Sequence, residues 1–421
     1  DMRLSSPTLT ERLIKGITDQ GGSVIDLGMI DTSMIYFAVN YFDCAGGVMV
    51  TASHNPPQYN GFKISKRRAK PVGEETGLAL IRKHAAMVDR TGAVAPPPAH
   101  AGKSEPRDLW GPYSKHVLGF LDLAGKELKI VIDASNGMAG TMIPKIFGKK
   151  GENVPGLEII ELNFDNSKGE FVHEPNPLVA SNVRQLQDAV VEHGADVGFC
   201  YDGDADRCVA VDEKGKIVGC DHLTAVMAPF FLEEAPGAAV VYDLRSSKAV
   251  EEEIEKAGGE PIKGRVGHVF MKQELADSEG IFGGELSGHF YFRENFNADS
   301  GAIAMCSLLS QLAQTGKKLS ELVAPVARYA QSGEINFENE NPDEALANAI
   351  EELGPGSDVD ADIEELDGIT LDCFEKEGWW CNIRKSNTEP LLRLNAEARD
   401  AATLEKTLAM IEPLLGTRVA H

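Results

Sequence analysis

Short apolar segments alternate with helical segments along most of this sequence, and this alternation restricts its fold more than any other feature. Residues 8–21 have helical periodicity, residues 24–28 are apolar and β-prone, residues 33–40 are helical again, and residues 48–50 form a second apolar run. Such alternation indicates an α/β layer with a mostly parallel sheet. A chain of 421 residues is too long for one hydrophobic core, so we expect several domains.

A sequence similarity between two parts of the chain indicates that one α/β unit is duplicated. Residues 1–5 (DMRLS) resemble residues 243–247 (DLRSS), and each segment leads into a predicted helix that ends at two glycines. Each is followed further along the chain by a glycine-flanked polar loop that contains serine and histidine. Duplication is the simplest account of this pattern.

The last part of the chain has a different character. Its β-prone segments at residues 368–374, 379–384 and 391–397 are too close together for helical crossovers, so we expect them to pair antiparallel. We therefore predict three related α/β domains, with mixed, mostly parallel sheets, and one C-terminal α+β domain. The predicted domains are residues 1–110, 111–216, 217–327 and 328–421.

The charge and the cysteines argue against several classes of function. A net charge of −24 disfavours nucleic acids and anionic membranes as partners, since both require clustered lysine and arginine. No apolar run reaches the ~18 residues that span a bilayer, and no signal peptide is visible. The seven cysteines lack zinc-binding spacing, which favours a reducing, cytoplasmic location. Because the chain enters a helix-start pattern directly after Asp1, we expect N-terminal residues to be missing from it.

The segment after the apolar run at residues 48–50 places a serine on a stiff loop. Ser53 and His54 are followed by two prolines, which cannot continue a strand because neither can donate a ladder hydrogen bond. Folds of the α/β class place their chemistry just past strand ends, and His54 and Lys63 offer donors to an anion. Ser53 is therefore a candidate catalytic residue, with an ordinary turn residue as the alternative.

Three aspartates, Asp202, Asp204 and Asp206, follow a predicted buried strand at residues 195–201. Carboxylate oxygens at this density are the ligands that Mg²⁺ prefers in proteins. The spacing does not fit an EF-hand, since no glycine stands at position 6 of the loop. The sequence thus predicts a Mg²⁺ site here, with an acidic solvated turn as the alternative.

Charge balance connects this loop with Ser53. A phosphoserine carries about −2, and like charges ~4 Å apart repel by roughly 4 kcal/mol per unit pair at an effective dielectric of about 20. A phosphorylated Ser53 among three bare aspartates is therefore untenable, whereas with the ion present its phosphate becomes a metal ligand. Arg207, Lys63 and His54 can offset part of the remaining charge.

Two further polar loops offer binding groups. Glu285, Ser287 and His289 alternate along a segment that we expect to be extended, so their side chains would share one face and suit a polyhydroxylated ligand. An exposed strand edge is the alternative. The other loop lies between two predicted strands, and its arginine, hydroxyl and amide donors suit a phosphate, with a polar hairpin turn as the alternative. Its candidate residues are Arg384, Ser386, Asn387 and Thr388.

Taken in order, the four loops resemble those of the α-D-phosphohexomutase family, and within it the bacterial phosphomannomutase/phosphoglucomutase branch. Residues 51–56 (TASHNP) resemble the family's phosphoserine loop, and residues 202–207 (DGDADR) its metal loop. Residues 284–289 (GELSGH) resemble its sugar loop, and residues 384–390 (RKSNTEP) its phosphate loop. The resemblance covers essentially the whole chain.

The resemblance implies four domains around a central cleft, each of which contributes one loop. It implies that phosphorylated Ser53 gives its phosphoryl group to a hexose 1- or 6-phosphate. The resulting hexose 1,6-bisphosphate then turns over, and its other phosphate returns to the serine. Mg²⁺ is the implied cofactor, small hexose phosphates are the implied partners, and a monomer or homodimer is expected.

The resemblance also implies roles for individual residues. Glu285 and Ser287 match positions that hold the 3- and 4-hydroxyls of the sugar. The positions that match substrate-contacting and proton-transfer groups are Lys63, Arg245, His268 and His289, and the sequence does not decide which of them is the general base.

The chain departs from the family pattern at two places. We find neither the N-terminal strand nor the Tyr-Asp-Ile-Arg-Gly type of segment with its substrate-contacting arginine, and residues 264–268 (GRVGH) differ from the commoner lysine-threonine-glycine-histidine version. Leu286 favours the phosphomannomutases over the phosphoglucosamine mutases, which remain an alternative. A Mg²⁺-dependent sugar-phosphate phosphatase with Ser53 as nucleophile is the rival enzyme class. A non-catalytic phosphosugar-binding protein is the third hypothesis.

Overall fold

The structure, a computed structural model, describes residues 1–96, 98–386 and 391–419. It contains four units of mixed helix and sheet, and the predicted α/β fold class is confirmed. None of the helices in the described ranges combines the length and the apolar character that crossing a bilayer requires.

The strands of the first unit form two separate two-stranded sheets. In chain order its elements are α1 (Ser6–Asp19), β1 (Val24–Asp26), α2 (Thr32–Tyr41), β2 (Gly46–Val50), β3 (Phe62–Lys66), α3 (Ala79–Thr91) and β4 (Ser104–Pro106). Strand β1 pairs with β4 in parallel, and β2 pairs with β3 antiparallel. Asp31 begins α2, because its side chain accepts a hydrogen bond from the backbone N–H of Met34.

The second unit is built on a five-stranded mixed sheet. Its elements are α4 (Trp110–Leu118), β5 (Leu128–Asp133), α5 (Ala139–Phe147), β6 (Leu157–Leu162), α6 (Ala180–His193), β7 (Val197–Tyr201), β8 (Cys208–Asp212) and β9 (Ile217–Val218). The strand order is β6-β5-β7-β8-β9, with the first three strands parallel and the last two antiparallel to their neighbours. Since β9 pairs with β8, this sheet extends past the predicted domain boundary at residue 216.

The third unit repeats that topology. Its elements are α7 (Cys220–Glu234), β10 (Ala239–Asp243), α8 (Lys248–Lys256), β11 (Glu260–Gly264), α9 (His268–Asp277), β12 (Phe282–Gly284), β13 (Phe290–Phe292), β14 (Ala298–Asp299), α10 (Gly301–Thr315) and α11 (Leu319–Val323). The strand order β11-β10-β12-β13-β14 corresponds to that of the second sheet, position by position, with the same parallel and antiparallel pairings. This agreement supports duplication of one α/β unit.

The fourth unit is an antiparallel sheet with helices, as its short strand spacing predicts. Its elements are β15 (Ala330–Glu338), α12 (Pro342–Leu353), β16 (Asp362–Glu364), β17 (Ile369–Cys373), α13 (Phe374–Glu377), β18 (Trp379–Lys385), β19 (Leu391–Ala398), α14 (Ala401–Leu415) and β20 (Thr417–Val419). Every pairing in the order β16-β17-β18-β19-β15-β20 is antiparallel.

The hydrophobic core divides the chain into two parts. Most buried apolar residues of the first three units belong to one continuous cluster, which includes Met34, Ile132 and Phe282, and three smaller clusters lie beside it. The fourth unit has its own cluster around Leu371 and Leu394. The first three units are therefore packed together by shared apolar burial, whereas the fourth unit contributes a separate core.

The same kind of hairpin carries a predicted loop in each of the first three units. The serine loop joins the antiparallel strands β2 and β3, the metal loop joins β7 and β8, and the sugar loop joins β12 and β13. Two backbone contacts connect the last two loops: Cys208 N–H donates to the carbonyl of Gly288 at 3.0 Å, and Arg207 forms a bridge with His289. The duplicated topology thus brings the three loops to one place.

Candidate active site

Ser53 lies buried against the metal loop. Its backbone has a φ of 49°, in the left-handed region, and its N–H donates to Thr51 Oγ1 at 2.9 Å. The side chain is turned toward the second unit, where Oγ donates a hydrogen bond of 2.7 Å to Asp202 Oδ2. His54 Nδ1 lies 3.4 Å from the same Oγ. The structure therefore brings together Ser53, His54 and the metal loop.

Arg3, which sequence analysis did not identify as a site residue, holds the backbone of the serine loop. Arg3 is 1% exposed and donates through Nη2 to the carbonyl oxygens of Ser53 (2.9 Å) and Asn55 (2.6 Å). Its own N–H and Nη1 both bind the carboxylate of Asp1, at 3.0 and 2.5 Å. These two hydrogen bonds tie the backbone of the serine loop to the Arg3 guanidinium, which therefore helps to position Ser53.

The sequence echo between the first and third units contains the signal for Arg3. In the third unit Arg245 N–H donates to Asp243 Oδ1 at 2.9 Å, and its guanidinium pairs with the same carboxylate. The Asp-x-Arg pattern thus forms one local structure in both units. Asp243 also accepts from the N–H of Leu286 at 3.2 Å and thereby holds the sugar loop.

A lysine on β3 of the first unit links two carboxylates of the metal loop. Lys63 Nζ donates to Asp204 Oδ2 at 2.8 Å and to Asp206 Oδ2 at 2.6 Å. Thr32, which sequence analysis did not identify, donates through Oγ1 to Asp204 Oδ2 at 2.7 Å. Arg207 N–H closes the loop on Asp202 Oδ1 at 3.2 Å. The second unit therefore supplies the carboxylates, and the first unit supplies the groups that hold them.

The three aspartates fit a divalent cation. One ligand oxygen from each lies within 4.8 Å of the others, and all three side chains are buried. Asp204 Oδ1 and Asp206 Oδ1 accept no hydrogen bond from any described residue, although a buried polar atom normally has a partner. Hard oxygen ligands left open in this way suit Mg²⁺ or a similar ion.

The three aspartates have different pKa values because their surroundings differ. Burial and the neighbouring Asp204 and Asp206 raise the pKa of Asp202 to about 8. Burial opposes ionisation of the other two as well, but the Lys63 ammonium holds the pKa of Asp204 and Asp206 below the usual value. Burial lowers the pKa of Lys63, and the same carboxylates more than reverse this effect. The Lys63 ammonium thus offsets the mutual repulsion of the carboxylates at Asp204 and Asp206.

The surroundings shift the pKa values of three histidines around the site in different directions. Burial lowers the pKa of His289, yet the carboxylates of Asp206 and Glu285 raise it to about 9. Burial, with nearby cations, lowers the pKa of His54 and of His268 to about 4 in each case. The rings of His268 and His289 have centroids 6.2 Å apart. A charged and a neutral imidazole therefore face each other at neutral pH.

The sugar loop is a tight turn, and our prediction of an extended segment was wrong. The N–H of Gly288 donates to the carbonyl of Glu285 at 3.0 Å, and Gly288 has a φ of 88° that favours glycine. The predicted side chains nevertheless converge: His289 Nδ1 lies 2.9 Å from Ser287 Oγ and 3.5 Å from Glu285 Oε2. They meet because the chain folds back on itself, not because they share a strand face.

Three arginines from two units surround one carboxylate. Glu334 on β15 binds Arg384 at 3.1 Å, Arg393 at 3.0 Å and Arg245 at 3.5 Å. Arg384 and Arg393 stand opposite each other on β18 and β19, where like charges repel unless a counter-ion is present. Sequence analysis did not identify Glu334 or Arg393, since neither lies in a recognisable loop motif.

The predicted phosphate loop is described only in part. Arg384 is the penultimate residue of β18, and Ser386 Oγ accepts a hydrogen bond from Arg393 Nη2 at 3.2 Å. The predicted residues Asn387 and Thr388 lie outside the described residues.

Comparisons with known proteins agree with the four-unit architecture. Sequence models described as phosphoglucomutase/phosphomannomutase α/β/α domains I, II and III match residues 1–89, 112–215 and 220–329. The model of the C-terminal domain of the same family matches residues 334–414.

Individual relatives are similar over nearly the whole chain. A protein of Xanthomonas campestris pv. campestris named "Phosphohexose mutases" is 38% identical over 419 residues, covering 99% of this chain and 90% of the relative. A phosphomannomutase of Escherichia coli is 34% identical over 424 residues, covering 98% and 90%. The crystal structure of a phosphoglucomutase/phosphomannomutase family protein from Burkholderia thailandensis has a TM-score of 0.84 at 28% identity and covers 98% and 87%. This chain therefore belongs to the phosphoglucomutase/phosphomannomutase family of intramolecular phosphotransferases, as its four loops predict.

Proposed function

We propose that this chain interconverts hexose 1-phosphates and hexose 6-phosphates as a phosphomannomutase/phosphoglucomutase, through a phosphorylated Ser53 and a hexose 1,6-bisphosphate. The observation that carries the proposal is the burial of Ser53 Oγ 2.7 Å from Asp202, beside a carboxylate cluster with open oxygens. An ordinary turn serine has no reason to be directed into such a cluster.

Each half of the reaction moves one phosphoryl group. A sugar hydroxyl oxygen attacks the phosphorus of phosphorylated Ser53, the bond from phosphorus to Oγ breaks, and the hydroxyl proton passes to a base. After the bisphosphate reorients, the freed Ser53 Oγ attacks its other phosphorus, the bond from that phosphorus to the sugar oxygen breaks, and this oxygen takes back the proton from the base as the isomeric monophosphate is released.

A divalent cation, for which we propose Mg²⁺, would be held by Asp202, Asp204 and Asp206. When bound, it neutralises negative charge that builds up on the transferring phosphoryl group. Lys63 supports this arrangement because its two ion pairs keep Asp204 and Asp206 ionised and oriented. Arg207, whose Nε lies 3.7 Å from Asp202 Oδ2, adds a positive charge at the same edge.

We assign proton transfer at the sugar to the two facing imidazoles. Neutral His268 can accept a proton, and protonated His289 can donate one, so the pair can serve both halves of the reaction. Glu285 is oriented for hydroxyl binding because Gly267 N–H donates to Oε1 at 3.2 Å and Tyr291 Oη–H donates to Oε2 at 2.7 Å.

The phosphate that is not being transferred would bind among the arginines around Glu334. Guanidinium groups form paired hydrogen bonds with phosphate oxygens, and Arg245 and Arg384 reach this place from the third and fourth units. A substrate phosphate there would tie the two units together across the cleft. Ser386, Asn387 and Thr388 complete the proposed binding loop.

The test is a substrate panel with mannose, glucose, N-acetylglucosamine and glucosamine 1-phosphates, assayed by ³¹P NMR with Mg²⁺ and a trace of hexose 1,6-bisphosphate. We expect 6-phosphates from mannose and glucose. Release of inorganic phosphate would instead indicate the phosphatase, and preference for glucosamine 1-phosphate would indicate a phosphoglucosamine mutase. Ser53→Ala should abolish turnover and leave sugar-phosphate binding intact, whereas Ser310→Ala, at another buried serine outside the site, should retain activity.

Further properties follow from this assignment as proposals. The four loops would belong to domains that end near residues 110, 218 and 327. Hexose phosphates would be the partners, with neither nucleic acid nor membrane involved, and the chain would act as a monomer or homodimer in the cytoplasm.

A further inference from the structure

A buried lysine lies behind the proposed active site without an assigned role. Lys272 on α9 is 4% exposed, and its Nζ lies 2.5 Å from Asp299 Oδ1. The same ammonium stands 3.6 Å from the ring centroid of Tyr36, which belongs to α2 of the first unit. The lysine therefore joins two units in a place where water has been excluded.

The partner of this lysine belongs to a second cluster of potential metal ligands. Asp206, His289 and Asp299 are buried and offer ligand atoms within 4.8 Å of one another. His289 Nε2 lies 3.4 Å from Asp206 Oδ1 and 3.9 Å from Asp299 Oδ2. The Lys272 ammonium pairs with Asp299 Oδ1, and Asp299 Oδ2 accepts no hydrogen bond from a described residue. Asp206 is shared with the three-aspartate cluster, so the two clusters together have the composition of a two-metal centre.

The charge of Lys272 decides against a second metal ion in this cluster. The Lys272 ammonium already occupies one oxygen of Asp299, at 2.5 Å. A divalent ion bound by the same carboxylate would stand next to this ammonium group, in a buried place where like charges repel strongly.

We propose that the Lys272 ammonium is the resident cation of this second acidic site, where it holds Asp299 against His289 and so fixes the imidazole between Asp206 and Glu285. Lys272 is a positioning residue, because it reaches the reacting groups only through Asp299. It also limits the centre to one divalent ion. The part of this inference that concerns catalysis rests on the proposed phosphoryl transfer, and the part that concerns metal binding does not.

The position of Lys272 on its helix supports this role. His268 begins α9 and Lys272 follows four residues later, so both side chains lie on the same face of the helix. His268 faces His289 from that side. One helix thus delivers both the neutral imidazole and the cation that fixes the charged imidazole.

The first experiment counts bound metal and needs no activity. Free Mn²⁺ is measured by electron paramagnetic resonance while wild type, Lys272→Ala and the surface control Lys256→Ala are titrated. Lys272→Ala should bind one Mn²⁺ per chain more than wild type, because its second acidic site has lost its cation, and the control should match wild type. Equal stoichiometry in Lys272→Ala and wild type would overturn the proposal, whatever the substrate panel shows.

The second experiment separates positioning from folding. In Lys272→Met, kcat should fall by at least about tenfold while KM for the hexose phosphate changes less than about threefold. The double variant Lys272→Met/Asp299→Asn removes both members of the ion pair and so leaves neither charge buried without its partner. It can be assayed if the single variant does not fold. It should regain the wild-type melting temperature without regaining kcat. Recovery of both together would show that the pair is only structural and would overturn the positioning role.

Discussion

The contact between the serine loop and the metal loop depends on the absence of one side chain. A Cβ atom built on Gly203 would lie 2.3 Å from the carbonyl oxygen of Ser53, whereas a non-bonded carbon and oxygen approach to roughly 3.3 Å. Gly203 is not among the residues with positive φ, so alanine can adopt its backbone conformation. The effect of Gly203→Ala on stability and activity should therefore come from this close contact alone.

The magnitude follows from how far the loops must separate. Relief of the contact requires a shift of about 1 Å, since contact distance is roughly 3.3 Å. The Ser53 carbonyl cannot move freely, because Arg3 Nη2 binds it at 2.9 Å. Overpacking of this kind costs about 1–3 kcal/mol of stability. A misplacement of about 1 Å in a reacting group lowers the rate by roughly 100-fold.

The assay compares kcat and the thermal unfolding midpoint of Gly203→Ala with those of Gly16→Ala. Gly16 lies inside α1, and a Cβ there would meet nothing within 4 Å. The control should therefore gain about 0.5–1 kcal/mol from the glycine-to-alanine change in a helix and keep its activity. Gly203→Ala with wild-type kcat would refute the argument that this contact positions Ser53.

Three further predictions concern the charged groups of the site. Lys63→Met should lose about 3–5 kcal/mol of stability, because it leaves two buried carboxylates without their cation. Saturating Mg²⁺ should raise the melting temperature of this variant more than that of wild type. An equal rise in both proteins would contradict the pairing of Lys63 with the proposed metal ligands. Since burial lowers the pKa of His268 to about 4 from an unfolded value of about 6.5, its contribution to stability is complete above pH 6.5 and is lost as the pH falls toward 4. His268→Asn should therefore remove about 2 kcal/mol of the loss in unfolding free energy that wild type shows between pH 7.5 and pH 5 in urea titrations, and an unchanged loss would show that the imidazole is not buried in its neutral form. Arg384→Lys should raise KM for the hexose phosphate about tenfold, because the planar guanidinium with its paired donors is lost. The exposed control Arg418→Lys should leave steady-state kinetics unchanged. A wild-type KM in Arg384→Lys would exclude this arginine from phosphate binding.

Local chemistry allowed the sequence to predict much of this protein. A strand that ends at a proline-stiffened serine loop, an aspartate-rich hairpin after a buried strand, and β-strands too close for crossovers each depend on neighbouring residues only. The metal loop and the antiparallel fourth sheet are found where the sequence places them. The failures were also local: residues 285–289 alternate like a strand but form a turn, because Gly288 adopts a left-handed conformation.

What the sequence by itself determined is therefore the kind of loop in each unit and the chemistry that each loop can offer. Only the tertiary structure decided which distant groups complete them: Arg3 under the serine loop, Thr32 on the metal loop, Glu334 among the arginines, and Lys272 behind His289. Each of these contacts joins residues that are far apart along the chain. Tertiary packing brings these partners together, between two units for Thr32 and within one unit for Arg3 and Lys272. No pattern within a short stretch of sequence records that packing.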